Sequence, residues 1–142
     1  MVFQQGSNGF RTKLTVSVAI LLILVICLIF SFRKRIDHEI PAANIQAVEL
    51  FDSFALNPAA AYNKYLDKVI VVEGQVNSIT GKTISLGSGV RIVRINFKKS
   101  RFRKLPAIKK GDTLVIRGIC IGLDYADVII GNSVLLAHIP SL

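Results

Sequence analysis

The chain has no tryptophan, one methionine, two cysteines and four prolines in 142 residues, and only nine acidic residues against 18 Lys and Arg. Two cysteines are too few for a small disulfide scaffold. Ten glycines that do not recur at every third position exclude a collagen helix, and 51% apolar content excludes a disordered chain. The length allows one small domain and excludes a large multidomain enzyme. Catalytic chemistry is equally sparse. There are two histidines, His38 and His138, no Gly-x-Ser-x-Gly motif and no cysteine pair at metal spacing. The Gly-Ser-Gly-Val-Arg stretch at 87–91 lacks the Lys and following Ser or Thr of a phosphate-cradling loop. No enzymatic activity, metal or small-molecule cofactor is expected.

What the chain does contain is one long apolar run. From Leu14 to Phe32 the only polar residues are Thr15, Ser17 and Ser31, and no charge interrupts them. At about 1.5 Å per residue the run reaches about 28 Å, close to the roughly 30 Å hydrocarbon core of a bilayer, and it reads as a transmembrane helix over 14–32. It leads straight into Phe32 and three cations rather than into small residues, so cleavage as a signal peptide is not expected. Ile26 is too bulky for the position before a lipoprotein cysteine, which leaves Cys27 as an apolar packing residue. Arg11 and Lys13 before the run oppose Arg33, Lys34 and Arg35 after it, so the flanking charges do not set the orientation. Residues 1–13 form a tail, 33–41 a juxtamembrane linker and 42–142 the domain. The linker holds Asp37, His38 and Glu39, three adjacent side chains that point in different directions and suit solvent better than a metal.

Beyond the linker, Ile45, Val48, Phe51 and Phe54 recur at helical spacing, with Leu50 on the same side, and predict an amphipathic helix from Ala43 to Leu56. Asn57 and Pro58 supply an N-cap and a first helical residue for a second helix to Tyr65, with Tyr62, Tyr65 and Leu66 facing inward. From Val69 the period falls to two and β-branched residues dominate. Five strands are expected: Val69 to Ile79, bulged at Gly74; Thr83 to Leu86; Val90 to Phe97; Thr113 to Ile121; and Asp127 to Leu136. A short helix from Ser100 to Leu105 falls in the connection before the fourth strand. A long first strand and a connection between the third and fourth fit a mainly β, five-stranded Greek-key barrel of the OB type; an open sheet or SH3-like barrel is the alternative.

Charge is confined. Nine of the 18 cations lie between Arg91 and Lys110, a window without an acid: Arg91, Arg94, Lys98, Lys99, Arg101, Arg103, Lys104, Lys109 and Lys110. Elsewhere nine cations meet nine acids, so the whole +9 excess belongs to these twenty residues. Such asymmetry fits a phosphate-bearing partner, nucleic acid or lipid headgroup, with solvated charge that keeps the domain soluble as the plain alternative. Phe97 shares the core side of its strand with Val93 and Ile95. Phe102 lies among the cations, placed either to plug the barrel or to stack on a base or dip into a bilayer interface. Asp124 and Asp127 flank the last turn and read as turn residues.

Three stretches, "ELFDSF", "NPAAAYNKYLDKVIVVEGQV" and "IKKGDTLVIRGICIGLDYADVIIGNSV", resemble the tRNA_anti-like family of OB-fold domains from Val48 to Leu135. The resemblance implies a small bacterial protein, often with an amino-terminal membrane segment or lipoprotein signal, and such export-type starts point to the outer side of the membrane. It also implies a cysteine near Ser133 in the last strand; with serine there, Cys120 reads as a buried, unpaired thiol. The expected role is a membrane-anchored, non-catalytic module that recognises an anionic polymer or a protein partner through the barrel face and the basic connection. Alternatively, the basic strip docks on anionic lipid headgroups and the protein is a scaffold.

Overall fold

The computed structural model describes residues 8–31 and 39–142. The chain divides into two units, Met1–Arg35 and Ile36–Leu142. The first contains one helix, α1 (Asn8–Ser31). Its side chains are described over 16–27, and all of them are exposed. The expected span of 14–32 runs past that stretch at both ends, and among the described residues no helix is long and apolar enough to cross a membrane. Asp37 and His38 lie outside the described residues.

The second unit opens with a departure from the sequence reading. Ala43 does not begin a helix: Asn44–Gln46 form a short strand, β1, parallel to Val71–Glu73, with the Val71 N–H donating to the Ala43 carbonyl at 2.9 Å. Helix α2 therefore starts four residues later, at Ala47–Leu56, and buries Ala47, Leu50 and Phe54. Ile45 matched the helical period only because a strand side chain pointing to the same core falls three residues before Val48. Helix α3 (Pro58–Tyr65) follows as expected, with the Asn57 side chain accepting from the Ala60 N–H at 3.1 Å. Tyr65 is buried and Tyr62 packs against the core, but Leu66 is exposed. The backbone leaves the helix at Leu66 and turns through a left-handed Asp67, which swings that side chain out.

Five further strands follow: β2 (Val69–Thr80), β3 (Thr83–Ser88), β4 (Arg91–Asn96), β5 (Thr113–Asp124) and β6 (Asp127–Ile139). The hydrogen-bonded order β1-β2-β3-β4-β6-β5 is closed by a β2–β5 pairing, so β2 to β6 form a barrel and β1 is an added edge strand. Within the barrel one pairing, β4 with β6, is parallel. The long β2 bonds β5 through Val69–Gln75 and β3 from Val76 onward, which lets one strand serve both sides of the closure. The expected bulge at Gly74 is absent. Pairing with β5 runs unbroken through Gly74↔Leu114, and the irregularity in β2 lies between Val76 and Ser78. Gly74 is required for a different reason: a Cβ there would stand 2.8 Å from the Ala47 Cβ, so glycine lets α2 lie on the barrel.

Strands β2, β4 and β6 run one way and β3 and β5 the other, so the barrel has two distinct ends. At the helical end, α2 and α3 place Leu50, Phe54, Ala61 and Tyr65 in the core. The opposite end is crossed by the connection from Lys98 to Lys110, which carries α4 (Lys99–Phe102) and sends Phe102, Leu105 and Ile108 against the same core. The interior rows of Ile84, Leu86, Val93, Ile95, Leu114 and Ile116 are fully buried.

Candidate functional site

The nine clustered cations do not form one surface. Arg91, at the start of β4, lies at the helical end and pairs with Asp52 of α2 at 3.3 Å. Arg94 points outward from β4 and pairs with Asp127, with Asp124 4.0 Å away, so these two acids hold a guanidinium as well as flank a turn. Both arginines were expected to contact ligand, and the structure separates them from the rest. The physical reason is the barrel's antiparallel path, which carries β4 from one end to the other within six residues.

The other seven sit on the connection at the opposite end. Among the described residues Lys98, Lys99, Arg103, Lys104, Lys109 and Lys110 are exposed and have no ion pair. Lys82, which the charge window missed, joins them through its place in the β2–β3 turn: its carbonyl accepts from the Phe97 N–H at 3.1 Å. Across the segments of this end (80–82, 97–112 and 139–142), eight bases meet one acid. Across the segments of the helical end (52–68, 87–94 and 122–127), four bases meet four acids. The barrel is electrically polar along its axis.

Arg101 has a different task. Beyond Ile130, the last residue of β6 paired to β4, the strand passes through a left-handed Asn132 and loses its neighbour. The Arg101 guanidinium donates to the carbonyls of Asn132 and Ser133 at 3.3 and 3.4 Å and thereby ties the connection to the gap between the strands. At these lengths, Arg101→Ala is expected to lower unfolding stability by about 1 kcal/mol while changing polyanion affinity less than removal of an exposed lysine. Parallel urea melts and binding titrations check this. Phe102, half-buried with its ring 6.3 Å from that of Phe97, plugs this end of the barrel.

The outer faces of β3 and β4 present Thr83, Ser85, Ile92, Arg94 and Asn96, with the Thr83 hydroxyl donating to the Asn96 amide oxygen at 2.9 Å. No aromatic ring stands among these positions, so they offer no stacking platform for bases. An open groove of about 520 Å³ on the flank of the barrel, between β1 and β5, is lined in part by Glu49, Glu73 and Arg117. Two carboxylates against one guanidinium make it a poor seat for a polyanion.

One cluster was not legible in the sequence. Asp112, buried at the turn into β5, accepts from the Ser141 N–H and hydroxyl at 2.9 and 3.1 Å and from the Lys109 N–H at 2.9 Å, and it meets His138 Nε2 at 2.7 Å. Serine, histidine and aspartate meet here without a catalytic order, because the carboxylate, not the imidazole, lies between the other two. The group is a clasp that fastens the carboxyl-terminal tail beside Lys109. The Ser141 backbone N–H, then His138, then the Lys109 N–H hold the Asp112 carboxyl well below its ordinary value of 3.8, against the opposing effect of burial. A depressed carboxylate stabilises the fold fully above that ordinary value, and the contribution is lost as pH falls through the folded one. Acid melts are therefore expected to show stability falling below about pH 4, with a shallower fall in Asp112→Asn. Cys120 is the buried, unpaired thiol the sequence suggested, and desolvation pushes it up to about 11. Among the described residues no group of three His, Cys, Asp or Glu is placed to hold a metal ion.

No functionally curated protein matches the chain. Among solved structures it is similar to a lipoprotein of Klebsiella pneumoniae subsp. pneumoniae presumed to bind nucleic acid, at 19% identity, with a TM-score of 0.51 over 66% of this chain and 91% of that one. The Stn1–Ten1 complex of Schizosaccharomyces pombe matches at 16% identity and a TM-score of 0.43, over 70% of this chain and 80% of the other. At 19% identity the first likeness is one of fold. The sequence itself matches the tRNA_anti-like family over residues 10–135, most of the chain, and the protein belongs to that family.

Proposed function

We propose that the protein is a non-catalytic binding module, held at a membrane by α1, that captures a phosphate-bearing polymer at the basic end of its barrel, with single-stranded nucleic acid as the working ligand. The observation that carries this reading is the division of charge: one end balanced, the other with eight bases against one acid. Six of those bases are exposed, without ion pairs, on a single connection. Membership of an OB-fold family and likeness to a lipoprotein presumed to bind nucleic acid support the ligand class, and the apolar, charge-free run from Leu14 to Phe32 supports the anchor. Because the barrel face lacks stacking rings, recognition is electrostatic and indifferent to base sequence.

The test is a titration of fluorescent single-stranded RNA against the full-length protein in neutral nanodiscs at several salt concentrations. About five phosphate contacts give a slope near −3.5 in log affinity against log salt. A flat response overturns the reading. Binding to anionic vesicles but not to RNA supports the other role, in which the basic strip lies on lipid headgroups and the protein acts as a scaffold. Sidedness decides which polymer is within reach: nucleic acid on the cytoplasmic side, another phosphate polymer on the extracytoplasmic side to which the family's export-type starts point. A reporter fused after Leu142 reads it directly.

A further inference from the structure

We infer that the helical end of the barrel rests on the lipid–water interface, leaving the basic end turned toward the aqueous phase. The inference rests on the proposal that α1 is a membrane anchor. Three independent features of the helical end carry it.

The first is the path of the chain. It enters the barrel at this end, where the Ala42 N–H donates to the carbonyl of Val69, the first residue of β2, at 2.7 Å. Only eight peptide steps separate Ser31, the last residue of α1, from Glu39, a contour of at most about 28 Å. The second is the character of the surface. Leu56 at the end of α2, Val90 in the β3–β4 turn and Tyr125 at the tip of the β5–β6 turn are 86, 85 and 98% exposed. Leu66 and Leu123 extend this rim, and Ile40 is exposed where the chain arrives. The rim is held rigidly. The Leu123 N–H donates to the Tyr62 hydroxyl at 3.2 Å, and Gly122, at a φ of +107°, keeps its backbone against the Tyr62 ring, where a Cβ would stand 2.7 Å from Cε1. Aliphatic tips with a tyrosine are the composition that partitions into the headgroup region, with the phenol at the water boundary.

The third feature is charge. Four bases and four acids balance at this end, and two of those bases, Arg91 and Arg94, are tied to Asp52, Asp124 and Asp127, so it approaches lipid with no net charge. The opposite end also exposes Ile79 and Ile139, but among eight bases and one acid, and these remain in the aqueous phase. This geometry gives the tether a function. It presents the polyanion site outward instead of spending its cations on nearby headgroups.

The experiment uses full-length Cys27→Ser protein in neutral vesicles that contain lipid spin-labelled at the headgroup. A fluorophore is placed at Tyr125→Cys or, separately, at Lys104→Cys; the buried Cys120 stays unlabelled under native conditions. Quenching at 125 at least threefold stronger than at 104 is expected, and Leu56→Ser with Val90→Ser is expected to reduce it. Equal quenching, stronger quenching at 104, quenching at neither site, or failure to incorporate overturns the inference. RNA titration of the same samples separates the two proposals. Salt-dependent binding without quenching at 125 rejects the docking and keeps the binding role, and quenching without RNA binding does the reverse.

Discussion

Replacing Lys98, Lys99, Arg103 and Lys104 together by glutamine is expected to weaken binding of single-stranded RNA by roughly 600-fold at 0.1 M salt. Each phosphate contact to a single strand releases about 0.7 of a counterion, which at that concentration is a factor of about five, and four contacts multiply. The slope of log affinity against log salt should become shallower by about 2.8. The four residues stand on or beside α4, exposed and without ion pairs, so their removal takes no partner from the fold. Fluorescence anisotropy across a salt series measures both quantities. The matched control is Arg91→Gln with Arg94→Gln, which removes two cations of the same window whose charge Asp52, Asp124 and Asp127 already neutralise. Its slope should stay within about 0.5 of the parent. If the control flattens the slope as much as the quadruple variant, the ligand runs along β4 and the site is not at the barrel's end.

The second large effect concerns the helical cap. Phe54 is fully buried, meets the Tyr62 ring edge-on at 5.2 Å and 89°, and lies 6.3 Å from the Tyr65 ring. It joins α2, α3 and the barrel interior in one contact set. Phe54→Ala is expected to remove about 4 kcal/mol, the sum of lost transfer energy and the cavity left between two helices that cannot close over it. Against a total of about 5 to 15 kcal/mol for a domain, that leaves a marginal fold, visible as a large drop in urea midpoint with unchanged slope. Loosening Tyr62 would also free the Leu123 N–H and with it the β5–β6 turn. Phe102→Ala, at a half-buried position on the other end, should cost about half as much. Equal losses would mean that the connection, and not the helical cap, is the firmer closure.

Period and punctuation in the sequence settled most of the architecture. Five strands lay where alternation of β-branched residues put them, because a half-buried strand repeats every two residues whatever its neighbours do. Asn57 and Pro58 began α3 because a cap is a local hydrogen bond, made by residues three apart. The errors occurred where a local pattern had two readings. Ile45 at helical spacing from Val48 belonged to a strand, since parallel pairing with residues 71–73 is a contact across more than twenty positions that no window registers. A glycine inside a strand signals a bulge, but Gly74 makes room for Ala47 of a distant helix. The Asp112 clasp joins residues 26 and 29 positions apart, and neither a lone histidine nor a terminal serine announces it.

The charge of the site divides the same way. Composition and order alone determined that the surplus of nine positive charges resides in residues 91–110 and that an uncharged, bilayer-length run precedes the domain, because charge and hydropathy are properties of side chains and need no fold to exist. Only the tertiary structure decided which of those cations could act together. Closing the barrel sent Arg91 and Arg94 to acids at one end, set Arg101 into the gap between β4 and β6, and gathered the remainder with Lys82 at the other. Coulomb interaction depends on distance in space, and the antiparallel return of the strands makes that distance independent of distance along the chain.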